Sequence, residues 1–261
     1  MQNLSNSFKT IIIILSIAVL SIITITGSSQ VLAATNPKVE CSTNKYTLAA
    51  DTKYSTDLYV IKSSKPGPVV MIVGGVHGSE RAGYLAADKV KNWTIDKGTL
   101  LVLPRANKRA IAKGLREVSG EGNLNRLFPR SAGKKPAHPL AAEIWSVVKK
   151  YQVSWLMDMH EGINYTKKSD SVGQSLIYYP DRQTRNMAQQ ILEDINKEIN
   201  TSYKKFSLKE YPAKGSLARS SGQYLGVNSF IFETCDNPSI AQRVNYQLKA
   251  ARTLLQELNM L

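Results

Sequence analysis

One stretch limits the folds open to this chain more than any other. The apolar run Val69-Val70-Met71-Ile72-Val73 passes directly into Gly74-Gly75-Val76-His77-Gly78-Ser79-Glu80-Arg81-Ala82-Gly83. A short apolar run bounded by glycines reads as a buried strand, and the glycine-rich segment after it reads as a loop leading into a helix. That order puts His77 and Glu80 at the carboxyl end of a strand, where open α/β sheets place their ligands. The glycines there let backbone and metal approach closely. An imidazole nitrogen and a carboxylate oxygen are two of the three protein ligands of a His, Glu, His zinc site. With three histidines in the chain such a pair arises readily by chance, so the reading depends on a third ligand.

The rest of the chain supplies the frame. Strands are read over 57–62 (as an edge strand), 68–73, 99–103, 154–159, 175–179 and 229–234, and helices over 82–93, 139–151, 182–199 and 240–258. Pro139 opens the second helix at its first turn. Strands separated by helices imply a largely parallel sheet covered on both faces. At 261 residues, 43% of them hydrophobic, the chain can bury one sizeable core, which suits a single catalytic domain over 35–261. The connection from Arg105 to Pro136 is too long for a mere link, and loops of that length are usually functional.

The third ligand comes from Trp155-Leu156-Met157-Asp158-Met159-His160-Glu161-Gly162, an apolar strand that ends in a histidine. The two-residue period puts Asp158 on the face of His160, where its carboxylate can orient the imidazole. Taken alone, this histidine reads equally as a core residue satisfied by Asp158 or as an exposed strand end. Beside His77 and Glu80 it completes a zinc site. His138, in Lys-Pro-Ala-His-Pro, reads as a loop residue. A three-ligand zinc keeps a position open for water, whose pKa falls to roughly 7. Such a site needs a base, and Phe230-Ile231-Phe232-Glu233-Thr234-Cys235 is a buried strand that carries a carboxylate to its end. Glu161 competes for that role, but strand alternation points it off the opposite face from His160.

The chain opens with an apolar run, Ile11 to Ile25, behind Lys9, followed by Val31-Leu32-Ala33 with small residues at the cleavage-determining positions. It reads as a signal peptide over residues 1–34; an uncleaved anchor is the competing reading. No stable membrane insertion is expected after cleavage. Export places the protein outside the cell or at the cell wall, where the formal charge, +14 for the whole chain and +13 once Lys9 is removed with the signal peptide, suits an anionic surface. The lysines are dispersed and no basic and aromatic pattern appears, so nucleic acid is not expected. In an oxidising compartment Cys41 and Cys235 could pair or remain separate thiols.

Four motifs in order, His77-Gly78-Ser79-Glu80, Asn123-Leu124-Asn125-Arg126-Leu127-Phe128-Pro129, Asp158-Met159-His160 and Phe232-Glu233-Thr234, resemble the succinylglutamate desuccinylase and aspartoacylase family of the zinc carboxypeptidase superfamily. The resemblance runs from about Pro68 to Leu258. It implies a three-layer α/β/α sandwich of the zinc-carboxypeptidase (phosphorylase/hydrolase-like) type around a mostly parallel mixed sheet. It also implies one zinc ion held by His77, Glu80 and His160, with Glu233 as general base and acid. Asn125 and Arg126 would hold a free substrate carboxylate, and Arg116 would polarise the scissile carbonyl. Arginine chemistry supports those roles, because its planar fork suits a carboxylate and stabilises charge on a carbonyl oxygen. Without the zinc motifs the same arginines would read as solvated loop cations. Arg219 and Tyr224 loosely resemble a family segment that contacts the substrate side chain, at a longer spacing from Glu233.

The family's intracellular deacylases usually carry a further β-rich domain, whereas this chain ends with the helix after Glu233. A more open site is therefore expected, suited to larger substrates. Together with export this points to a metallocarboxypeptidase acting on peptides with a free carboxylate, cell-wall stem peptides among them. An N-acyl amino acid deacylase is the alternative within the family. A non-catalytic binder of carboxylates or wall fragments is the alternative outside catalysis, and its usual sign, a lost ligand or base, is absent.

Overall fold

The computed structural model describes residues 40–261, so the signal peptide read over residues 1–34 lies outside the described residues. Eight strands form one sheet: β1 (Cys41–Leu48), β2 (Thr56–Ser63), β3 (Val69–Gly74), β4 (Thr99–Leu103), β5 (Trp155–Gly162), β6 (Ser175–Tyr178), β7 (Ser207–Glu210) and β8 (Asn228–Cys235). Their spatial order is β1-β2-β4-β3-β5-β8-β6-β7. The central pairs β4/β3, β3/β5 and β5/β8, together with β6/β7, are parallel. The pairs β1/β2, β2/β4 and β8/β6 are antiparallel, so the sheet is mixed, with its parallel part in the middle.

Six helices cover it: α1 (Arg81–Val90), α2 (Lys108–Lys113), α3 (Pro139–Lys150), α4 (Arg182–Asn196), α5 (Leu217–Leu225) and α6 (Ile240–Glu257). Two cores result, one on each face. Ala86, Ile191 and Leu254, from α1, α4 and α6, pack on Ile72, Met157 and Phe230. Ile144 and Leu217, from α3 and α5, pack on Met71, Leu156 and Ile231. The alternation along β3, β5 and β8 thus sends successive residues into opposite cores, which is the expected three-layer α/β/α sandwich. Among the described residues no helix is long and apolar enough to cross a membrane.

Several expectations need correction. The strand over 57–62 is not an edge, because β1 pairs with β2 along its whole length. Six of the eight β1 residues are exposed, so its sequence carries no apolar period to announce it. The polar connection after β4 contains α2 and a 3-10 turn over Leu124–Arg126. Asn107 caps α2 by accepting from the Ala110 amide, and Gly114 closes it with φ +63°. The helix expected over 82–93 ends at Val90. Both cysteines are free. Four strands separate β1 from β8, which puts Cys41 about 24 Å across the sheet from Cys235. A disulfide needs Cα atoms within about 7 Å, so the two thiols of one chain cannot pair.

Candidate active site

The parallel register decides which side chains meet. His160 on β5 lies beside Glu233 on β8, and both point to the α3/α5 face with Leu156 and Ile231. His77 and Glu80 arrive from the neighbouring strand through the loop between β3 and α1. That loop is packed tightly. A Cβ on Gly78 would sit 2.0 Å from the Ala110 carbonyl carbon, and one on Gly83 would sit 2.4 Å from the Met159 oxygen. The glycines therefore serve close backbone contact with α2 and β5, bringing Glu80 against the end of β5.

The result is one buried cluster. One ligand atom from each of His77, Glu80 and His160 lies within 4.8 Å of the others. Glu80 Oε1 is 2.7 Å from His77 Nδ1, and Glu80 Oε2 is 2.7 Å from His160 Nδ1. The two Nδ1 atoms are 3.2 Å apart. Each outer ring nitrogen has its own neighbour. His77 Nε2 is 3.0 Å from Asn123 Oδ1. His160 Nε2 is 3.0 Å from Asp158 Oδ2, although the approach is too oblique for a hydrogen bond, and both Asp158 oxygens lack a partner. A carboxylate and two imidazoles whose inner nitrogens converge, with oxygens behind the outer ones, fit a divalent zinc-type cation.

Electrostatics follow from burial. Burial alone would raise the Glu80 carboxyl, but the charge and hydrogen bonds of His160 and His77 hold it well below the usual carboxylate range. Burial would lower His160, yet Asp158 and Glu80 beside it raise it well above an ordinary imidazole. Burial pushes the Glu233 carboxyl up to about 8, with Glu80 and Asp158 adding to the rise against His160 and Arg116. Among the described residues, the buried Glu233 Oε2 has no hydrogen-bond partner. A carboxyl poised near neutrality beside a His, Glu, His cluster has the chemistry of a proton carrier.

Glu161 has a different occupation. Glu80 is the N-cap of α1 but turns its carboxylate to the histidines, so it leaves the helix uncapped. Glu161, on the opposite face of β5, accepts from the Ala82 amide at 2.7 Å and caps α1 instead. Its other oxygen accepts from Arg243 of α6 at 2.6 Å. The Glu161 backbone amide also donates to Glu80 Oε2 at 3.1 Å. One helical turn on, Gln247 donates to the His160 carbonyl at 2.8 Å. Thus α6 braces the end of β5 at two points, a link that no local sequence signal announces.

A cavity of about 330 Å³ opens beside the cluster, lined by His77, Glu233, Arg116, Asn125 and Arg126 and by β7-side residues such as Tyr211. The structure therefore brings all seven expected site residues together, Glu80 through its contacts with His77 and Arg116. Arg116 is half-exposed and donates to Glu80 Oε1 at 2.6 Å. Asn125 is buried; its Oδ1 accepts from the Leu217 amide at the start of α5, and its amide nitrogen is 3.4 Å from His160 Nε2. That leaves the Asn125 NH₂ as the donor available to an anion. Arg126 Nη1 donates to the Asn125 carbonyl at 2.7 Å. His138 is the N-cap residue of α3 and stacks edge-on against Tyr54, with no place in the cavity wall.

Two participants escape sequence reasoning. Asn123 belongs to a quoted motif, but its hold on His77 spans 46 residues. Tyr211, in a left-handed conformation with φ +60°, stands at the cavity wall. Arg219 lies over its ring at 4.8 Å and over that of Tyr179 at 5.3 Å, so Arg219 supports the wall rather than lining it. Tyr224 lines a different groove.

Comparison with known proteins places this geometry in context. The sequence model of the succinylglutamate desuccinylase/aspartoacylase catalytic domain matches residues 66–256. No curated protein sequence matches the chain. Among solved structures, a variant of the Cell Shape Determinant protein Csd4 from Helicobacter pylori is 21% identical with a TM-score of 0.65, over 78% of this chain and 55% of that one. The mDAP-bound form of Csd4, a D,L-carboxypeptidase, is 22% identical with a TM-score of 0.64, over 75% of this chain and 52% of that one. A succinylglutamate desuccinylase/aspartoacylase from Rhodobacter sphaeroides is 16% identical with a TM-score of 0.64, over 85% of this chain and 66% of that one. At these identities the likeness shows a shared fold, and the chain spans about half the length of the Csd4 chains.

Proposed function

Because the chain belongs to the succinylglutamate desuccinylase/aspartoacylase family of hydrolases, we propose that it is an exported, zinc-dependent carboxypeptidase. Its substrate is a peptide cut at the amide bond next to a free carboxylate, such as a cell-wall stem peptide. One observation carries the reading. A buried carboxyl with an unpartnered oxygen, Glu233, shares a cavity with a His, Glu, His cluster and with two arginines.

In this reading His77, Glu80 and His160 hold the zinc ion, which when bound supplies Lewis acidity and lowers the pKa of water. Asn123 fixes the outer nitrogen of His77, and Asp158 sets a carboxylate beside that of His160. Arg126 and the Asn125 NH₂ hold the free carboxylate of the substrate. Arg116, at the rim beside Glu80, donates to the carbonyl oxygen as charge develops there. Glu233 takes a proton from the attacking water and returns it to the leaving amine, and burial lets it hold that proton near neutral pH. Glu161 caps α1 and pairs with Arg243, so it takes no part in proton transfer.

Support for a peptide substrate comes from the neighbours, since Csd4 structures are described with mDAP and with a tripeptide bound. The family's own description favours a second reading, removal of an acyl group from an N-acyl amino acid. Both leave the same carboxylate anchored and differ in what lies across the scissile bond. Zinc-loaded protein incubated with stem tripeptides and, separately, with N-acyl amino acids is the test, read by mass spectrometry. Release of a terminal amino acid supports the peptidase, and cleavage of the acyl amino acids alone replaces it with the deacylase. Glu233→Gln should lower the rate by about 10²–10⁴-fold with zinc content unchanged. An unchanged rate removes Glu233 from the mechanism.

A further inference from the structure

We propose that the α3/α5 face carries a second binding site, a cationic groove for a phosphodiester-linked polyol or sugar chain. The proposal does not depend on the reaction proposed above. The groove has a volume of about 430 Å³, against about 330 Å³ for the catalytic cavity. Sites for small ligands span about 300–1,000 Å³, so it can seat a unit of a polymer. Lys134 and Lys135 reach it from the loop before α3, and Lys149 from the last turn of that helix; Ser131, Ser146 and Tyr224 complete the polar lining.

Charge is the first argument. Among the described residues no acidic side chain lines the groove. Among the described residues, none of its three lysines has a carboxylate within 4.0 Å, whereas Lys53, Lys91, Lys108, Lys197 and Lys249 each have one. Three unneutralised ammonium groups around one concavity focus a positive potential on whatever enters it.

Chemistry narrows the ligand. Among the described residues no arginine lines the groove. The planar arginine fork, which suits carboxylates and phosphates alike, is missing, so the groove offers point charges, which phosphate accepts from lysine, with serine hydroxyls beside them. Nucleic acid needs a run of ring faces on which successive bases stack, and this wall offers one partly exposed ring, Tyr224, because Trp145 is 7% exposed. A phosphodiester chain without bases fits better. Extent points to a chain as well. A second concavity of about 360 Å³ shares Lys149 and Leu225 with the first and continues to Val227.

Placement gives the site a use. The first residue of α5, Leu217, donates to Asn125 beside the metal cluster, and the last residues, Tyr224 and Leu225, line the groove. The nine residues of this helix span about 13 Å. A polymer seated in the groove is held one short helix from the catalytic loop, and a substrate attached to the same matrix gains effective concentration there.

The test is direct binding of soluble poly(glycerol phosphate) to the full chain at low and high salt, with no turnover required. K134Q/K135Q/K149Q is compared with K45Q/K62Q/K65Q, which removes three exposed lysines from the β1/β2 edge. The groove variant should lose on the order of 100-fold in affinity at low salt. The edge variant should stay within a few fold of the parent, and melting temperatures should agree among all three proteins. Equal losses in both variants would reduce the site to diffuse charge and overturn the proposal. So would absence of binding, or binding of polygalacturonate or a single-stranded oligonucleotide as tight as that of poly(glycerol phosphate). Failure here leaves the hydrolase reading standing, and failure of that reading leaves the groove testable.

Discussion

The strand-end cluster and the loop that faces it are built in opposite ways. His77, Glu80, His160 and Glu233 are all less than a tenth exposed, and strand register, glycine contacts and α6 hold them from behind. Arg116 is 52% exposed and is held by its contact with Glu80. Arg126 is likewise tethered at one nitrogen, to the adjacent Asn125 carbonyl. The cluster is therefore set by the fold, and the arginines by what they touch. Changes in the first region should reach metal affinity and stability, and changes in the second should reach substrate affinity and leave both untouched.

The largest effect should come from behind the cluster. Arg243→Met leaves the Glu161 carboxylate buried without its ion partner, and such losses cost about 3–5 kcal/mol. Denaturant unfolding of the metal-free protein should show that loss, and a change below 1 kcal/mol would deny α6 its bracing role. Next, Asn123→Ala should weaken zinc binding by about 10–100-fold, measured by competition with a chelator, because it frees the His77 ring. The loop offers the contrasting case. Arg126→Lys keeps the charge but loses the fork, and KM should rise by about tenfold with zinc affinity and melting temperature unchanged. A fall in melting temperature like that of Arg243→Met would erase the distinction between the two regions.

A separate effect concerns pH. The folded-state value of Glu233 lies near 8, above its ordinary 4.5. The metal-free fold thus holds a proton that the unfolded chain has released. The stability this gives is complete below about 4.5 and lost as pH rises towards 8. The melting temperature of the metal-free parent should therefore fall over that window, and Glu233→Gln should flatten the part due to this carboxyl. Identical profiles for the two proteins would mean that Glu233 ionises freely in the fold.

The same division explains what the sequence disclosed. His77, Glu80, His160 and Glu233 each follow a short apolar strand or its glycine loop, so local pattern both located the element and fixed which face its end presents. The arginines have no such frame, and only the ordered motifs drew attention to them. The strands β1 and β7 went unread because one is almost wholly exposed and the other has four residues. In α5 the segment Ser220-Ser221-Gly222 has weak helical propensity, and the Ser216 cap together with burial of these small residues outweighs it. The hold of Asn123 on His77 and of Arg243 and Gln247 on β5 joins residues 46 to 87 positions apart, beyond the reach of any local period.

The contact of Gly83 with the Met159 carbonyl has a practical corollary for anyone who would redesign this protein. Main chain touching main chain sets the bite between Glu80 and His160, so repacking the large side chains of either core leaves that spacing nearly fixed. A methyl group at position 83 would spread it. The far wall of the cavity, at Lys209, Tyr211 and Val172, can accordingly be altered with the spacing of Glu80 and His160 as a constant.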